Sequence, residues 1–284
     1  MLLKAALAQA SESFAEAGIE SNLADAEILL AFSLGISRAD LLGKIFLAER
    51  INQDQLETFE ELVNKRSQRI PLQHLTGSAA FRFLELEVGP GVFIPRFETE
   101  VVTSAALDLL RKKNLDNPVV VDLATGSGAI ALSIALEVPE AKVCAVELSE
   151  AALEYTRKNF AKYSPASQLV QGDLKDAFPE LDGQVDLVIS NPPYIPKDMV
   201  PIYPEVHLHD PSLALYGGDD GLDIIRNVER SAARLLKPGA VLVIEHADMQ
   251  AEAVRAILLA KGWLEVKTGQ DLAGRDRMVT AVKQ

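Results

Sequence analysis

Asn191, Pro192, Pro193 and Tyr194 directly follow the apolar run 185–190 and bring a carboxamide, a carbonyl and an aromatic ring together. The Asn191 Oδ1 atom and the Pro192 carbonyl can accept the two hydrogens of a planar NH2 group, and the Tyr194 ring can cover its π face. Held in this way, the nitrogen would direct its lone pair towards a second reactant. We therefore predict that Asn191, Pro192 and Tyr194 are catalytic and that Pro193 lines the substrate site.

A glycine-containing turn follows the apolar run 119–123 and is the second candidate site. Its two glycines would allow the backbone to approach a ligand just before a helical pattern begins. The turn begins with Asp122, an acid that suits a ligand with a cationic amine better than a pyrophosphate. The predicted cofactor-binding residues of this turn are Asp122, Ala124, Thr125, Gly126 and Gly128.

Two more acidic residues follow the next two strand-like runs. Glu147 lies where a carboxylate can accept both ribose hydroxyls of an adenosine, and Asp173 could accept from the exocyclic amine of adenine. Leu148 and Leu174 are the apolar neighbours expected beside the adenosine. Together with Asp122 and the glycine turn, these residues predict a pocket for a neutral or cationic adenosine such as S-adenosylmethionine. Asn191 is predicted to contact this cofactor as well as the substrate.

The elements that must position these residues alternate between strand-like and helical patterns from about residue 119 onwards. Such alternation is typical of an α/β fold whose mostly parallel, doubly wound sheet is covered on both faces, with ligands at the carboxyl ends of its strands. The seven predicted strands are 119–123, 142–148, 168–171, 185–190, 240–246, 263–266 and 278–282.

The remainder of the chain predicts two smaller parts. Residues 1–75 show apolar positions at helical spacing, which indicates a small all-α amino-terminal bundle. Residues 76–95 alternate with a period of two, with a turn at 89–91, and are expected to form a β-hairpin linker. The segment 96–284 would then be the catalytic domain.

Composition excludes several classes of function. The formal net charge of -13 and the lack of a long basic run argue against a general nucleic-acid binder. No apolar stretch suits a signal peptide or a membrane span. The single cysteine, Cys144, favours a reducing compartment, here the cytoplasm, and the histidines at 207 and 209 have no partners that would predict a metal site.

The motifs at 122–132 and 191–194 together resemble S-adenosylmethionine-dependent methyltransferases that alkylate amide or amino nitrogens. Further motifs are similar to those of the PrmC (HemK) family of release-factor glutamine methyltransferases, and the resemblance covers nearly the whole chain. These further motifs lie at 71–77, 94–100, 217–222 and 271–277.

This resemblance implies methylation of the side-chain amide nitrogen of the glutamine in the Gly-Gly-Gln motif of class-1 peptide chain release factors, with S-adenosylmethionine as the cofactor. Carried over by motif, Asn191 and Pro192 would bind the glutamine amide, Tyr194 would pack over it, and Arg96 and Phe97 would line the approach. The resemblance also implies that the helical bundle at residues 1–75 recognises the release factor. Neither a membrane nor a nucleic-acid substrate is expected.

Three alternatives remain open at this stage. A glutamine methyltransferase that acts on a ribosomal protein would share the same site. An adenine methyltransferase acting on nucleic acid could hold a flipped base with the same four residues, although the acidic composition counts against it. A non-catalytic module could bind S-adenosylmethionine or a nucleotide without turnover, but it would have no need of the motif at 191–194.

Overall fold

The computed structural model describes all 284 residues and divides the chain into two compact units. Unit 1 comprises Met1–Ser78 together with Ile202–His209, and unit 2 comprises Ala79–Pro201 and Asp210–Gln284. Unit 1 thus contains a short segment that is remote in sequence. No helix in the protein is long and apolar enough to cross a membrane.

Unit 1 is helical, as the apolar spacing predicts. Its core contains Leu3 and Phe14 of the first helix, Leu29 and Leu30 of the second and Phe59 of the fourth. The first four helices each contribute buried apolar residues to this core, because no single amphipathic helix can bury its own apolar face. The helices are α1 (Leu3–Glu16), α2 (Asn22–Leu34), α3 (Arg38–Phe46), α4 (Gln53–Ser67), α5 (Leu72–Thr76) and the remote α9 (Pro204–His209).

Ion pairs attach the remote segment within unit 1. Glu205 of α9 accepts from Arg66 at 2.9 Å and from Arg69 at 2.7 Å, and Arg66 also pairs with the buried Asp25 at 2.8 Å. The side chains of Arg66 and Asp25 are almost fully removed from solvent, so these charges need their partners. The segment 202–209 is therefore an integral part of unit 1.

The first two strands of unit 2 correct one detail of the sequence prediction. The strands β1 (Ser78–Phe81) and β2 (Leu84–Glu87) pair as a two-stranded sheet, and the turn between them lies at residues 82–83. The prediction of a hairpin turn at 89–91 is wrong. The side chains of Phe81 and Leu86 pack into the core of unit 2.

The large sheet of unit 2 has seven strands in the order β5-β4-β3-β6-β7-β9-β8. Strands β3 to β7 are parallel, and β9 is antiparallel to both of its neighbours. This arrangement confirms the predicted α/β fold class. The strands are β3 (Val119–Leu123), β4 (Lys142–Glu147), β5 (Gln168–Gln171), β6 (Val185–Ser190), β7 (Leu236–Glu245), β8 (Leu264–Gln270) and β9 (Asp276–Val282).

Helices cover both faces of this sheet, which explains why β6 is buried along its whole length. One face carries α6 (Phe97–Lys113), α7 (Ala129–Glu137) and α8 (Glu150–Tyr163), and the other carries α11 (Asp223–Leu235) and α12 (Ala251–Ala260). The short helix α10 (Ser212–Leu215) lies between β6 and α11 in sequence.

Candidate active site

The strand order reverses between β3 and β6, and the two main motifs meet at this position. Asp122 of β3 is in register with Ile189 of β6, so both strands end side by side. The Ser190 hydroxyl donates to the Leu123 carbonyl at 2.6 Å and joins the two carboxyl ends. Such a switch point is the usual ligand site of an open α/β sheet.

Asn191 is the first residue beyond β6, and its carboxamide is held by only one of its ends. The Nδ2 atom donates to the Thr99 hydroxyl oxygen at 3.1 Å, whereas the Oδ1 atom has no partner within the protein. The carbonyl oxygen of the buried Pro192 also accepts no hydrogen bond from the protein. The structure thus leaves unsatisfied the two acceptors that the sequence predicts for an NH2 group.

Tyr194 is anchored through its hydroxyl group at the end of the adjacent strand, β7. The hydroxyl donates to Glu245 Oε1 at 3.4 Å, and the ring packs against the core on the α11 face. Burial, together with the nearby Glu245 carboxylate, raises the pKa of the Tyr194 hydroxyl, so it remains protonated at neutral pH. A fixed, uncharged phenol suits packing against a substrate better than proton abstraction.

A glycine-rich turn supports the backbone of residues 193–195. Gly217 donates to the Ile195 carbonyl at 2.9 Å, and a Cβ atom at Gly217 would lie 2.6 Å from the Pro193 carbonyl oxygen. Gly221 has φ +74°, and a Cβ atom there would overlap the Tyr194 carbonyl oxygen. The Gln250 Nε2 atom donates to that same carbonyl at 2.8 Å. Only glycine permits this close approach of two backbone segments.

The turn after β3 is stabilised by Asp122, which is completely buried. Its Oδ2 atom accepts from the Thr125 hydroxyl at 2.5 Å and from the Ala131 amide at 3.2 Å, while Oδ1 has no partner. Burial raises the pKa of Asp122 to about 7. Ala124, Gly126 and Gly128 all have positive φ, the conformation that tight turns require. The unpartnered oxygen is consistent with a further donor such as a ligand amine.

Glu147 lies at the end of β4 beside this turn, and the backbone already holds its carboxylate. Its Oε2 atom accepts from the Gly126 amide at 2.8 Å and its Oε1 atom from the Ser149 amide at 2.8 Å. Burial raises its pKa, against the effect of these backbone hydrogen bonds. Each oxygen keeps acceptor capacity for a hydroxyl group. The next residue, Leu148, is half exposed.

Asp173 follows β5 and borders a cavity of about 230 Å³ at the ends of β4 and β5. Burial opposes ionisation, but hydrogen bonds from the Lys175 amide and ammonium outweigh it and lower the pKa of Asp173. The cavity walls combine apolar side chains with polar ones such as Asp173 and Gln171, as a planar base requires. The apolar walls are Val146, Val170, Ala177, Phe178 and Pro179. Leu174 packs partly buried against the core beneath.

Arg96 and Phe97 differ from each other in their surroundings. The Arg96 guanidinium pairs with the buried Asp210 and lies 4.9 Å from the centre of the Phe93 ring. Burial raises the pKa of Asp210 to about 6, although Arg96 opposes this shift. Arg96 thus binds Asp210, the residue at which the chain re-enters unit 2 after the segment 202–209. Phe97 is 81% exposed and is free to contact a substrate.

Four residues of this region have no assigned role in the sequence prediction: Thr99, Glu245, Gln250 and Arg277. Thr99 and Glu245 are buried, and the positive charge of Arg277 favours the ionised form of Glu245. One signal in the sequence could have revealed Glu245, because it is an acidic residue near the carboxyl end of the predicted strand 240–246, which follows the motif at 191–194. Thr99 carries no comparable signal.

Comparison with known proteins finds relatives over nearly the whole chain. A family model described as the PrmC N-terminal domain matches residues 5–77, and one described as the methyltransferase small domain matches residues 84–200. A release factor glutamine methyltransferase from Streptomyces coelicolor is 50% identical and covers 99% of this chain and 98% of its own. One from Mycobacterium tuberculosis is 39% identical, covering 100% of this chain and 92% of its own.

A relative with a different name is also similar. The 4-amino-L-phenylalanine/4-methylamino-L-phenylalanine methyltransferase of Streptomyces pristinaespiralis is 41% identical and covers 92% of this chain and 88% of its own. Among solved structures, the catalytic domain of hMettl16 aligns with a TM-score of 0.55 at 13% identity, covering 78% of this chain and 82% of that one. This structural likeness supports the fold alone.

The seven-stranded sheet, its switch-point site and the methyltransferase domain match define an S-adenosylmethionine-dependent methyltransferase. The similarity over the full length of named relatives is more specific, since it includes the amino-terminal helical region. The chain belongs to the PrmC family of release factor glutamine methyltransferases.

Proposed function

We propose that this protein transfers a methyl group from S-adenosylmethionine to the side-chain amide nitrogen of the glutamine in the Gly-Gly-Gln motif of class-1 peptide chain release factors. Family membership supports the substrate class, since the similar proteins from Streptomyces coelicolor and Bifidobacterium longum are named release factor glutamine methyltransferases. The single buried cysteine is compatible with action in the cytoplasm, where translation takes place.

One observation carries the chemical part of the proposal. Asn191 Oδ1 and the Pro192 carbonyl oxygen are both without protein partners at the switch point of the sheet. Two acceptors and no donor suit a group with two hydrogens to donate, which a primary amide nitrogen provides. A carboxylate or phosphate substrate would meet only acceptors there and would be rejected.

The proposed role of these acceptors follows from amide chemistry. The nitrogen lone pair of an amide is delocalised into its carbonyl group, so the nitrogen must become more pyramidal in order to attack. By accepting both N–H groups, Asn191 and Pro192 would stabilise the positive charge that grows on the nitrogen. Tyr194 would restrict the amide plane, and this positioning would supply much of the remaining acceleration.

No residue needs to remove a proton before the transfer. S-adenosylmethionine, when bound, supplies a methyl group that its sulfonium already activates. The raised pKa of Tyr194 and its bond to Glu245 argue against a phenolate base. We therefore assign no general base, and the product's proton can leave to solvent after transfer.

The residues at the ends of β3, β4 and β5 fit the cofactor. The unpartnered Asp122 Oδ1 atom would face its amino group, Glu147 would accept from the ribose hydroxyls, and the cavity beside Asp173 would hold adenine. The backbone of the turn at Gly126 and Gly128 would lie against the methionine part, because no side chain obstructs it there.

A second candidate is N-methylation of an arylamine amino acid, which the name of the Streptomyces pristinaespiralis relative suggests. An arylamine also offers two hydrogens to the same acceptors. The release factor is favoured because the more similar relatives, up to 50% identical, carry that name.

The direct test is incubation of the purified protein with labelled S-adenosylmethionine and separate acceptors. These are a class-1 release factor, the same factor with the Gly-Gly-Gln glutamine changed to alanine, ribosomal proteins of the large subunit, 4-amino-L-phenylalanine and adenine-containing DNA. We expect label on the unaltered release factor alone, and fragmentation mass spectrometry should place one methyl group on that glutamine. Equal labelling of the altered factor, or preferential labelling of another acceptor, would contradict the proposal.

A further inference from the structure

We propose that Thr99, supported by Glu245, is a positioning residue that fixes the orientation of the Asn191 carboxamide, with Nδ2 turned into the protein and Oδ1 presented to the substrate. The effect of this orientation on catalysis rests on the proposed function. The orientation itself is a property of this chain alone, and it can be measured without an acceptor.

The need for such a residue comes from the symmetry of a carboxamide. A rotation of 180° about its terminal bond exchanges the oxygen and the NH2 group with almost no change of shape. In the inverted state, Asn191 would present donors to the donors of a substrate amide. A neighbouring group that accepts but does not donate is therefore required in order to select one state.

Thr99 provides that acceptor. Its hydroxyl oxygen is 3.1 Å from Asn191 Nδ2, and the residue is only 3% exposed. A hydroxyl can also donate, so its own hydrogen must be directed elsewhere. Thr99 lowers the pKa of the Glu245 carboxylate, and the negative charge of Glu245 in turn favours the orientation in which the Thr99 hydroxyl hydrogen points towards it and the lone pairs face Asn191.

The charge of Glu245 sets the direction in which the Thr99 hydroxyl points. Glu245 is 1% exposed at the end of β7, and an ionised carboxylate can only accept. The Tyr194 hydroxyl donates to its Oε1 atom at 3.4 Å, the buried Oε2 atom has no partner, and Arg277 supplies the compensating positive charge. The acidic residue facing it is Glu98, which opposes ionisation. The same carboxylate thus orients both Asn191, through Thr99, and Tyr194.

The backbone holds Thr99 in place at the first turn of α6. Its amide donates to the Arg96 carbonyl at 3.1 Å, and its carbonyl takes part in the backbone hydrogen bonding of the helix. A β-branched side chain in a helix has few rotamers, so the hydroxyl position is well defined. Serine would keep the hydroxyl with more rotational freedom, and valine would keep the shape without it.

The kinetic test compares Thr99→Val, Thr99→Ser and Thr103→Val, after circular dichroism and thermal unfolding have shown that each is folded. Thr103 is a matched control, because it is a buried threonine one turn further along α6 whose hydroxyl donates only to the Thr99 carbonyl, and that carbonyl keeps its backbone hydrogen bond within the helix when the hydroxyl is removed. We expect Thr99→Val to lower kcat by roughly tenfold or more, while the Kd for S-adenosylmethionine stays within about threefold. Thr99→Ser should recover most of kcat, and Thr103→Val should match the unaltered enzyme.

The second readout is the side-chain NH2 signal of Asn191 in NMR spectra of asparagine-labelled protein, assigned by its loss in Asn191→Ala. In Thr99→Val, we expect these protons to exchange faster with water, with no such change in Thr103→Val. An unaltered Asn191 signal in Thr99→Val overturns the inference, and so does an unaltered kcat. If the unaltered enzyme fails to methylate a release factor, the proposed function fails, and the NMR comparison alone decides the orientation.

Discussion

The carboxyl ends of β6 and β4 lie at the same edge of one sheet but use their polar atoms differently. At the end of β6, the protein occupies the Asn191 Nδ2 atom and leaves Asn191 Oδ1 and the Pro192 carbonyl without partners. At the end of β4, the protein already uses both oxygens of Glu147 to hold the turn after β3.

The two strand ends therefore differ in whether their functional groups also have a structural role. The acceptors beyond β6 are free atoms whose orientation is set by neighbours, as a catalytic group requires. Glu147 is at once part of the local architecture and a candidate ligand, so its loss should affect both. We expect substitutions at β6 to change the rate of transfer, and those at β4 to change cofactor binding and stability.

The largest expected effect is that of Asn191→Ala. Removal of one preorganised hydrogen-bonding group in the transition state typically costs about 10²-fold to 10³-fold in kcat. We expect a loss of this size for the release factor, with a Kd for S-adenosylmethionine within about threefold of the unaltered value, measured by calorimetry. An undiminished kcat would remove Asn191 from the reaction.

Gly221→Ala should disturb the backbone that follows β6 through a steric clash. Its Cβ atom would overlap the Tyr194 carbonyl oxygen and displace the 191–194 backbone, so we expect kcat to fall about 10-fold to 100-fold. The matched control is Gly183→Ala, since Gly183 has a similar φ of +66° but no atom within 4 Å of a new Cβ atom. Both variants should lose stability through backbone strain. Equal kcat values for the two would show that the glycine-rich turn does not position the site.

Glu147→Ala tests the β4 side of the comparison. We expect the Kd for S-adenosylmethionine to rise about tenfold, because a carboxylate that accepts hydroxyl hydrogens contributes roughly 1.5 kcal/mol. Thermal unfolding should also occur at a lower temperature, because the Gly126 and Ser149 amides lose their acceptor. At saturating cofactor, kcat should remain close to normal. A normal Kd together with a low kcat would reverse the roles assigned to the two strand ends.

The smallest effect concerns pH. Burial raises the pKa of Glu245 to about 7, with opposing contributions from Thr99, Arg277 and Tyr194. Only the ionised form of Glu245 would keep the Thr99 hydroxyl oriented as an acceptor for Asn191 Nδ2. We therefore expect kcat at saturating cofactor to rise with pH through about 7. The free energy of unfolding should depend on pH in the opposite direction to kcat, because the folded-state pKa of Glu245 is raised. The stabilising contribution of Glu245 is fully present below its unfolded pKa of about 4.3 and is lost as the pH rises through 7.

Asp122 provides a control for this pH profile, since burial raises its pKa to about 7 as well. It lies on the cofactor side, so Asp122→Asn should change the pH dependence of the Kd for S-adenosylmethionine but keep the rise in kcat. Glu245→Gln should abolish that rise. Its persistence in Glu245→Gln would show that another group titrates.

The sequence predicts the sheet well because its central strands are continuous apolar runs bounded by turn residues. The predicted limits of β3, β5 and β6 agree with the structure, and so does the adjacency of the motifs at 122–128 and 191–194. The predicted hairpin turn is wrong because the strong Gly89-Pro90-Gly91 signal outweighed the true turn, where Arg82 adopts a positive φ. Only tertiary contacts indicate that turn.

The parts of the site that the sequence does not reveal depend on contacts between remote residues. Thr99 and Asn191 are 92 positions apart, and Glu205 meets Arg66 across 139 positions. No local pattern encodes such pairs, because each partner occupies an ordinary position in its own helix or loop. Arg96 illustrates the reverse case: its motif indicates a substrate contact, while the structure also uses it to bind Asp210.

The most direct test of the central claim is a structure with S-adenosylhomocysteine and a peptide that contains the Gly-Gly-Gln motif. We expect the glutamine Nε2 atom to lie about 3 Å from both Asn191 Oδ1 and the Pro192 carbonyl oxygen, with Asn191 Nδ2 still bonded to Thr99. A glutamine amide that lies elsewhere, or one that presents its oxygen to Asn191, would contradict the account.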